Sequence, residues 1–296
     1  MTHLSILIPC LNFKNFTGSE LYVYELALGL KNAGCDVAIM SQLGGPLTDK
    51  AIEKGLSLYS FSSPPQQGFD LIHSQHFPVT EACLRVWPNH PHICSIHSEI
   101  IEMEKPVMDE RIRRYIAIRP GIKQHLRDHY QIAASKIAVI RNPIDGDRFN
   151  KIGVSDEGFV LFVGTIDYLR ERAIRDLVSM TEASGYDALL IGKDKSSYLD
   201  ELLAYPHVKY RAETDDVEFF TKRCTHTAGI MLGRTTVEGW LCGKSGWIYN
   251  VDETGCVVSK KLTRPPPDLH DYQVSNVINE MLHVYKEVLN GGFDPA

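Results

Sequence analysis

No two of the seven cysteines in this 296-residue chain form a C-x-x-C pair, and their number is odd. A disulfide framework and a four-ligand zinc site therefore have no spacing to rest on. Several cysteines lie in apolar runs, as in LSILIPC and HICSIH, so reduced and buried thiols are expected. No apolar run approaches the ~20 residues of a membrane-spanning helix. The opening MTHLSILIPC has no basic leader and runs straight into a strand pattern; no signal peptide is expected, and the expected location is cytoplasmic. A surplus of positive charge is also missing. The formal net charge of -6 argues against a general nucleic-acid binder, which would carry a basic face. Low-complexity segments are absent, and the two halves of the chain do not repeat each other in sequence.

What is present is an alternation of short apolar runs with helical periods. Residues 4–10, LSILIPC, fit a buried parallel strand. After the loop LNFKNFTGS comes a helix with Ser19 as its expected cap and Val23, Leu26, Ala27 and Leu30 at i, i+3, i+4 and i+7. Gly34 ends it and DVAIMS follows as a strand. Further strand-like runs are DLIHSQ, HICSIH, YIAI and KIAVIR, and Pro120 opens a helix, PGIKQHLRDHY. The Pro-, Gly-, Asp- and Asn-rich segment RNPIDGDRFNKIGVSDEG reads as a linker. The domain boundary is therefore expected near Ile152, giving domains 1–152 and 153–296 of about 150 residues each.

The alternation then restarts. FVLFVG, ALLIG, VKYRA, TAGIML and GWIYNV read as strands, residues 170–183 and 235–243 as helices, and about 274–289 as a terminal helix with Val274, Val277, Ile278, Met281, Tyr285 and Val288 on one face. The expected fold class is α/β, two tandem Rossmann-like domains with a cleft between them. Ligands of such sheets bind outside the carboxyl ends of the strands, so chemistry is sought there.

Four places qualify. TGSE, with Gly18 and Ser19, offers a close backbone approach and a helix N-terminus to a pyrophosphate; its plainer reading is a strand–helix turn. In VGTIDYLRERAIR, after Gly164, the guanidinium of Arg170, Arg172 or Arg175 can pair with phosphate through two parallel hydrogen bonds; the plainer reading is a solvated helix face with Glu171 and Asp176 as partners. In GIMLGRTTVEGWLCG, Gly233, Thr235 and Thr236 stand at a helix start, and Glu238 is expected in its first turn. That carboxylate can accept bonds from vicinal ribose hydroxyls, or simply complement the helix dipole. The fourth set is His73, His76, His90, His92 and His97 near strand ends. His97 is the one singled out for acid–base or hydrogen-bonding work. A metal at His73 and His76 is not expected, because a strand running through both would put them on opposite faces.

These segments resemble the retaining glycosyltransferases of family 4, which have the GT-B fold. The resemblance spans nearly the whole chain, through GSELYVYELALGLKNAGCDVAIMS, DLIHSQH, SIH, AVIRNPIDGDRF, FVLFVG, ALLIG and GRTTVEGWLCGKSGWIYNVD; the last of these and AVIRNPIDGDRF are the more specific. It implies transfer of a sugar from a UDP- or GDP-sugar, held mainly by the second domain, to a hydroxyl acceptor, without a metal or other cofactor. By resemblance Gly18 approaches the donor phosphates and Arg170, or Arg172 in its stead, replaces the family's diphosphate-binding lysine. Glu238 holds the ribose, Gly233 and Arg234 face the sugar, Thr235 and Thr236 the phosphates, and His97 lies near the reacting sugar. The terminal helix is implied to return to the first domain. The acceptor is a carbohydrate, a lipid-linked molecule or another hydroxyl compound; peripheral membrane contact is compatible with the chain, and a modified-DNA acceptor is disfavoured by its acidity.

The chain departs from the family pattern at three places. Ile230 stands where the first glutamate of the paired motif is expected, Thr165 where an arginine commonly follows the strand glycine, and Glu171 where a glycine follows the lysine. Ile230 motivates one alternative, a non-catalytic relative that binds nucleotide sugars; a second alternative is a sugar-nucleotide epimerase on the same fold.

Overall fold

The computed structural model describes residues 4–66, 68–149 and 154–291. The described chain divides into two compact units. One runs to Pro143 and takes up the chain again from Asp271; the other is Ile144–His270. The boundary expected near Ile152 falls outside the described residues.

The first unit is built on seven strands: β1 (Ser5–Phe13), β2 (Asp36–Leu43), β3 (Ser57–Ser60), β4 (Leu71–Gln75), β5 (His92–Ile96), β6 (Ile112–Ala117) and β7 (Ile137–Val139). They pair in the order β3-β2-β1-β4-β5-β6-β7, all parallel. Helices α1 (Gly18–Asn32), α2 (Gly45–Glu53), α3 (Phe77–Val86) and α4 (Pro120–Tyr130) connect them. The strands are apolar on both faces because both are covered. Ile6, Leu7 and Ile8 are fully buried and lie beside Val37, Ala38 and Ile39 of β2. The order reverses at β1, which has β2 on one side and β4 on the other. The switch point of this sheet is therefore at the carboxyl ends of β1 and β4.

Helix α1 buries Val23, Leu26, Ala27 and Leu30 completely, the stripe its spacing predicts. Its cap corrects the expectation: Thr17 is the N-cap residue and Ser19 lies inside the first turn. Glu20 stabilises that end instead, its carboxylate accepting the N–H groups of Lys14 (3.0 Å) and Asn15 (2.5 Å). The terminal helix, Val274–Leu289, buries Val277, Ile278, Met281, Val284, Tyr285 and Val288 in the same core. A methyl group on Gly29 would come within 2.6 Å of Ile278 Cγ1, so the terminal helix meets α1 over bare backbone. A buried polar chain fixes the junction further. Tyr285 OH lies 2.6 Å from His73 Nδ1, His73 Nε2 lies 2.7 Å from Ser95 Oγ, and Tyr22 OH lies 2.9 Å from the same hydroxyl.

The second unit holds β8 (Phe159–Val163), α5 (Glu171–Ser184), β9 (Asp187–Ile191), α6 (Leu199–Leu203), β10 (Val208–Arg211), α7 (Val217–Arg223), β11 (His226–Ile230), α8 (Arg234–Leu241), β12 (Ser245–Val251) and β13 (Val257–Thr263); the terminal helix is α9. The strand order is β10-β9-β8-β11-β12-β13. Only β13 is antiparallel. The reversal falls at β8, placing the switch point at the ends of β8 and β11.

No disulfide joins any of the seven cysteines, and five of them are buried. No helix among the described residues is long and apolar enough to cross a membrane.

Candidate functional site

The second unit carries one cluster of the expected residues at its switch point. Gly164 follows β8 and donates its N–H to Ile191 O (2.9 Å). The loops after β8 and β9 close so tightly that a Cβ on Gly192, at φ +150°, would fall 2.0 Å from Gly164 O. After β11 the chain bends through Met231, a non-glycine residue at φ 56°, with its N–H on Tyr249 O (2.7 Å). A left-handed methionine costs of order 1–3 kcal/mol and persists where the surroundings over-determine it. The bend sets Gly233 as the N-cap of α8. A methyl on Gly233 would make only an ordinary contact, 3.7 Å from Ile230 O, so the fold itself does not demand glycine there.

Helix α8 presents the N–H groups of its first turn and its positive dipole end at the switch point, as an anion requires. Thr235 joins this helix end to β8 by donating its hydroxyl to Val163 O (3.1 Å). Thr236 does not face outward. It is fully buried against Gly229 and Gly246, and its hydroxyl has no hydrogen-bond partner among the described residues. Helix periodicity explains this: the two threonines are about 100° apart, and the sheet lies under the second.

Glu238 is buried, with 5% exposure. It is the fifth residue of α8 and so lies beyond the first turn, correcting the placement expected from sequence. Arg234 Nε donates to its Oε1 at 2.5 Å, one helical turn away. A buried pair of this kind is costly to break from one side, about 3–5 kcal/mol, because the remaining charge stays desolvated. The Arg234–Glu238 pair is therefore a fixed feature of the switch point. Ile230 is the last residue of β11, immediately before this bend.

The three arginines after β8 separate. Arg170 is the N-cap residue of α5 and pairs with Asp167 (2.5 Å), keeping it on the loop that leaves β8. Tyr198 OH donates to Asp167 O (3.0 Å) and steadies that loop. Arg172 lies against Cys256 Sγ. Arg175 is committed to Glu201 through two parallel bonds of 2.8 Å and to Glu171 at 2.9 Å.

In the first unit, Gly18 opens α1 and Ser19 follows it at the β1 end of the switch point. A methyl on Gly18 would meet nothing within 4 Å. His97 follows β5 and belongs to a group that sequence reading only half found. Its Nε2 lies 2.8 Å from Gln75 Oε1, and its backbone N–H donates to Glu104 Oε2 (3.0 Å). The other oxygen of Glu104 is 3.4 Å from His76 Nε2, and the Leu11 N–H reaches His76 Nδ1 at 3.5 Å. The His76 and His97 rings are 6.4 Å apart, and Tyr22 meets His97 edge-on at 4.6 Å. His76 stands at φ 66°, just past the end of β4. The strand therefore does not run through both His73 and His76. His73 is spent on Tyr285 and Ser95, while His76 turns toward Glu104. Among the described residues, no three His, Cys, Asp or Glu side chains form a group able to hold a metal.

Burial governs the protonation of this cluster. It pulls His97 well below the usual imidazole value, helped by electrostatic coupling to the nearby His76, His73 and Arg119. Burial alone takes His76 down to about 4 and His73 to about 3. It pushes Glu104 up to about 7, against the stabilising His97 N–H and Arg119. The cluster thus holds neutral imidazoles beside a carboxyl that titrates near neutrality. Gln75 and Glu104 escaped the sequence reading. The one available hint was the acidic run in HSEIIEMEK directly after His97.

Several solved structures are similar to this chain over nearly its whole length. A glycosyltransferase from Rickettsia africae ESF-5 is 14% identical with a TM-score of 0.68, covering 98% of this chain and 99% of its own. Anabaena HepE in complex with UDP-glucose is 16% identical with a TM-score of 0.66, over 97% and 92% of the two chains. AviGT4, a glycosyltransferase involved in avilamycin A biosynthesis, is 14% identical with a TM-score of 0.66, over 96% and 98%. At these identities the likeness is one of fold, and the fold is GT-B, two Rossmann-like domains in tandem. The Glycosyltransferase Family 4 model matches residues 16–148, which lie almost wholly in the first unit. No curated protein matches the chain in sequence.

Proposed function

We propose that this protein moves a sugar from a UDP- or GDP-sugar to a hydroxyl acceptor with retention at the anomeric carbon. The supporting observation is the β8–β11 switch point, where Gly164, Gly233, the first turn of α8 and the buried Arg234–Glu238 pair occur together. In this reading Glu238 takes the ribose hydroxyls while Arg234 holds its carboxylate in place. The diphosphate rests on the N–H groups of α8, and Arg170 leaves Asp167 to neutralise it, with Arg172 as its substitute. Gly18 and Ser19 offer backbone N–H groups to the phosphates, and His97 touches the transferred sugar. As the glycosidic bond breaks, charge gathers on the leaving diphosphate. Each preorganised donor there contributes about 2.7–4 kcal/mol, by analogy with oxyanion holes. The acceptor hydroxyl gives its proton to the departing phosphate, so neither a metal nor a hydrolase-like carboxylate pair is called for.

UDP-glucose is the first donor to test, because HepE, with the same fold, is solved with it. The decisive experiment is a thermal-shift and turnover screen against nucleotide sugars. A donor at 100 times its Kd adds about 2.7 kcal/mol of stability. No shift with any donor ends the proposal. Ile230, the residue in place of the first motif glutamate, favours a second reading: a binding protein without turnover. Stabilisation without transfer or hydrolysis of any donor selects that reading.

A further inference from the structure

We propose that Gln75 is a positioning residue that holds His97 as its Nε2–H tautomer and leaves Nδ1 as the lone-pair nitrogen that accepts a hydroxyl of the transferred sugar. The inference rests on the transferase reading for the identity of the ligand, but on geometry for the tautomer. Gln75 ends β4, is completely buried, and lies in register with Ser95 of β5, two residues before His97. Its Oε1 is 2.8 Å from His97 Nε2. A carbonyl oxygen has no proton to give, so the imidazole donates and its proton resides on Nε2. His97 Nδ1 makes no hydrogen bond among the described residues, whereas the backbone N–H of the same residue is anchored on Glu104. Tyr22 packs edge-on against the ring at 4.6 Å and limits its rotation.

The neighbouring histidine gives a contrast within the cluster. His76 Nδ1 accepts from the Leu11 N–H, which places the His76 proton on Nε2, toward Glu104. Both rings are thus held in the same tautomer, but by opposite means. A backbone donor occupies the lone pair of His76, while a side-chain acceptor takes the proton of His97. Only His97 keeps an uncommitted lone pair, and a lone pair is what a sugar hydroxyl needs in order to donate. Gln75 Nε2 has no hydrogen-bond partner among the described residues, so the amide is retained at a cost that packing alone does not explain.

The test is long-range 1H–15N NMR on the full chain labelled in its histidines, with the His97 signals assigned by their loss in His97→Asn. The expected spectrum shows a protonated Nε2 and a pyridine-type Nδ1 for His97. Gln75→Leu should replace this with a mixture of tautomers, and Gln75→Glu, which still accepts from Nε2, should restore the single form. Turnover of UDP-glucose by Gln75→Leu should fall about tenfold, the weight of one hydrogen bond, with KM little changed. A His97 protonated on Nδ1 in the unmodified protein overturns the proposal, as does a Gln75→Leu spectrum identical to it. If Gln75→Leu does not fold, the unmodified spectrum and Gln75→Glu still decide. Failure of the transferase reading looks different: no nucleotide sugar is turned over, while the tautomer responds to Gln75 as stated.

Discussion

The two domains share a topology and differ in how they handle charge at their switch points. In the second, ionic groups are paired and fixed: Arg234 with Glu238 and Arg170 with Asp167. In the first, the cluster around His97 holds buried neutral groups beside the Arg119–Glu99 ion pair, with three imidazoles pushed down and one carboxyl pushed up. Fixed charge suits a ligand whose own charge never changes, such as a diphosphate. Neutral, hydrogen-bonded groups suit a ligand of hydroxyls. On the proposed function, one sheet architecture serves two recognition chemistries through the loops after its strands.

Breaking the fixed side should have the largest effect. Glu238→Ala should abolish stabilisation by UDP-glucose and cost about 3–5 kcal/mol of stability, since it removes one side of a buried ion pair. Melting with and without donor measures both effects. Glu238→Gln, which keeps the shape, should lose donor binding with a smaller fall in Tm. On the neutral side, His97→Ala should lower turnover about a hundredfold while leaving the donor-induced thermal shift intact. An equal loss of binding would mean that the domains do not divide the work as described.

The pH dependence sharpens the contrast. The unfolded histidines protonate near 6.5, but His76 and His73 stay neutral in the fold down to about 4 and 3. Their contribution is present above 6.5 and is lost as the pH falls. Glu104 has the opposite sign: protonated in the fold up to about 7, it contributes most below 4.5 and loses that contribution as the pH rises through 7. Between about pH 4.5 and 6.5 the histidines outnumber the carboxyl. Stability should therefore rise with pH by at least about 1.4 kcal/mol per unit, readable from urea midpoints. His76→Gln should flatten that slope. The smallest effects should come from the arginines. Arg170→Ala should weaken donor binding about tenfold, whereas Arg175→Ala should change stability by under about 1 kcal/mol and leave binding alone.

The sequence revealed the elements whose pattern is local. The Pro120–Tyr130 and Val274–Leu289 helices have the limits that their proline and apolar stripe predict, and the stripe of α1 is buried as expected. Strand β13 was missed because VVSKKLT lies at the sheet edge with most of its side chains exposed, so neither an apolar run nor a clean alternation marks it. Helix α3, FPVTEACLRV, was missed because it follows β4 after the single residue His76, whose left-handed turn is not visible in the sequence. The same rule holds at the sites. Gly233, Arg234, Thr235 and Glu238 are one continuous segment and could be read together, although the burial of Thr236 needed the sheet beneath it. Gln75, His97 and Glu104 come from separate segments that only parallel pairing brings together.

The return of α9 to the first domain has a consequence for how the protein is made. Its core is unfinished when Pro143 leaves the ribosome, because Ile278, Met281 and Tyr285 are still unsynthesised. The second domain, uninterrupted in the chain, can complete itself first. At ordinary elongation rates the first domain waits on the order of ten seconds with the α1 face that receives α9 open to water. That interval leaves the apolar face of α1 uncovered, a face that the finished molecule hides.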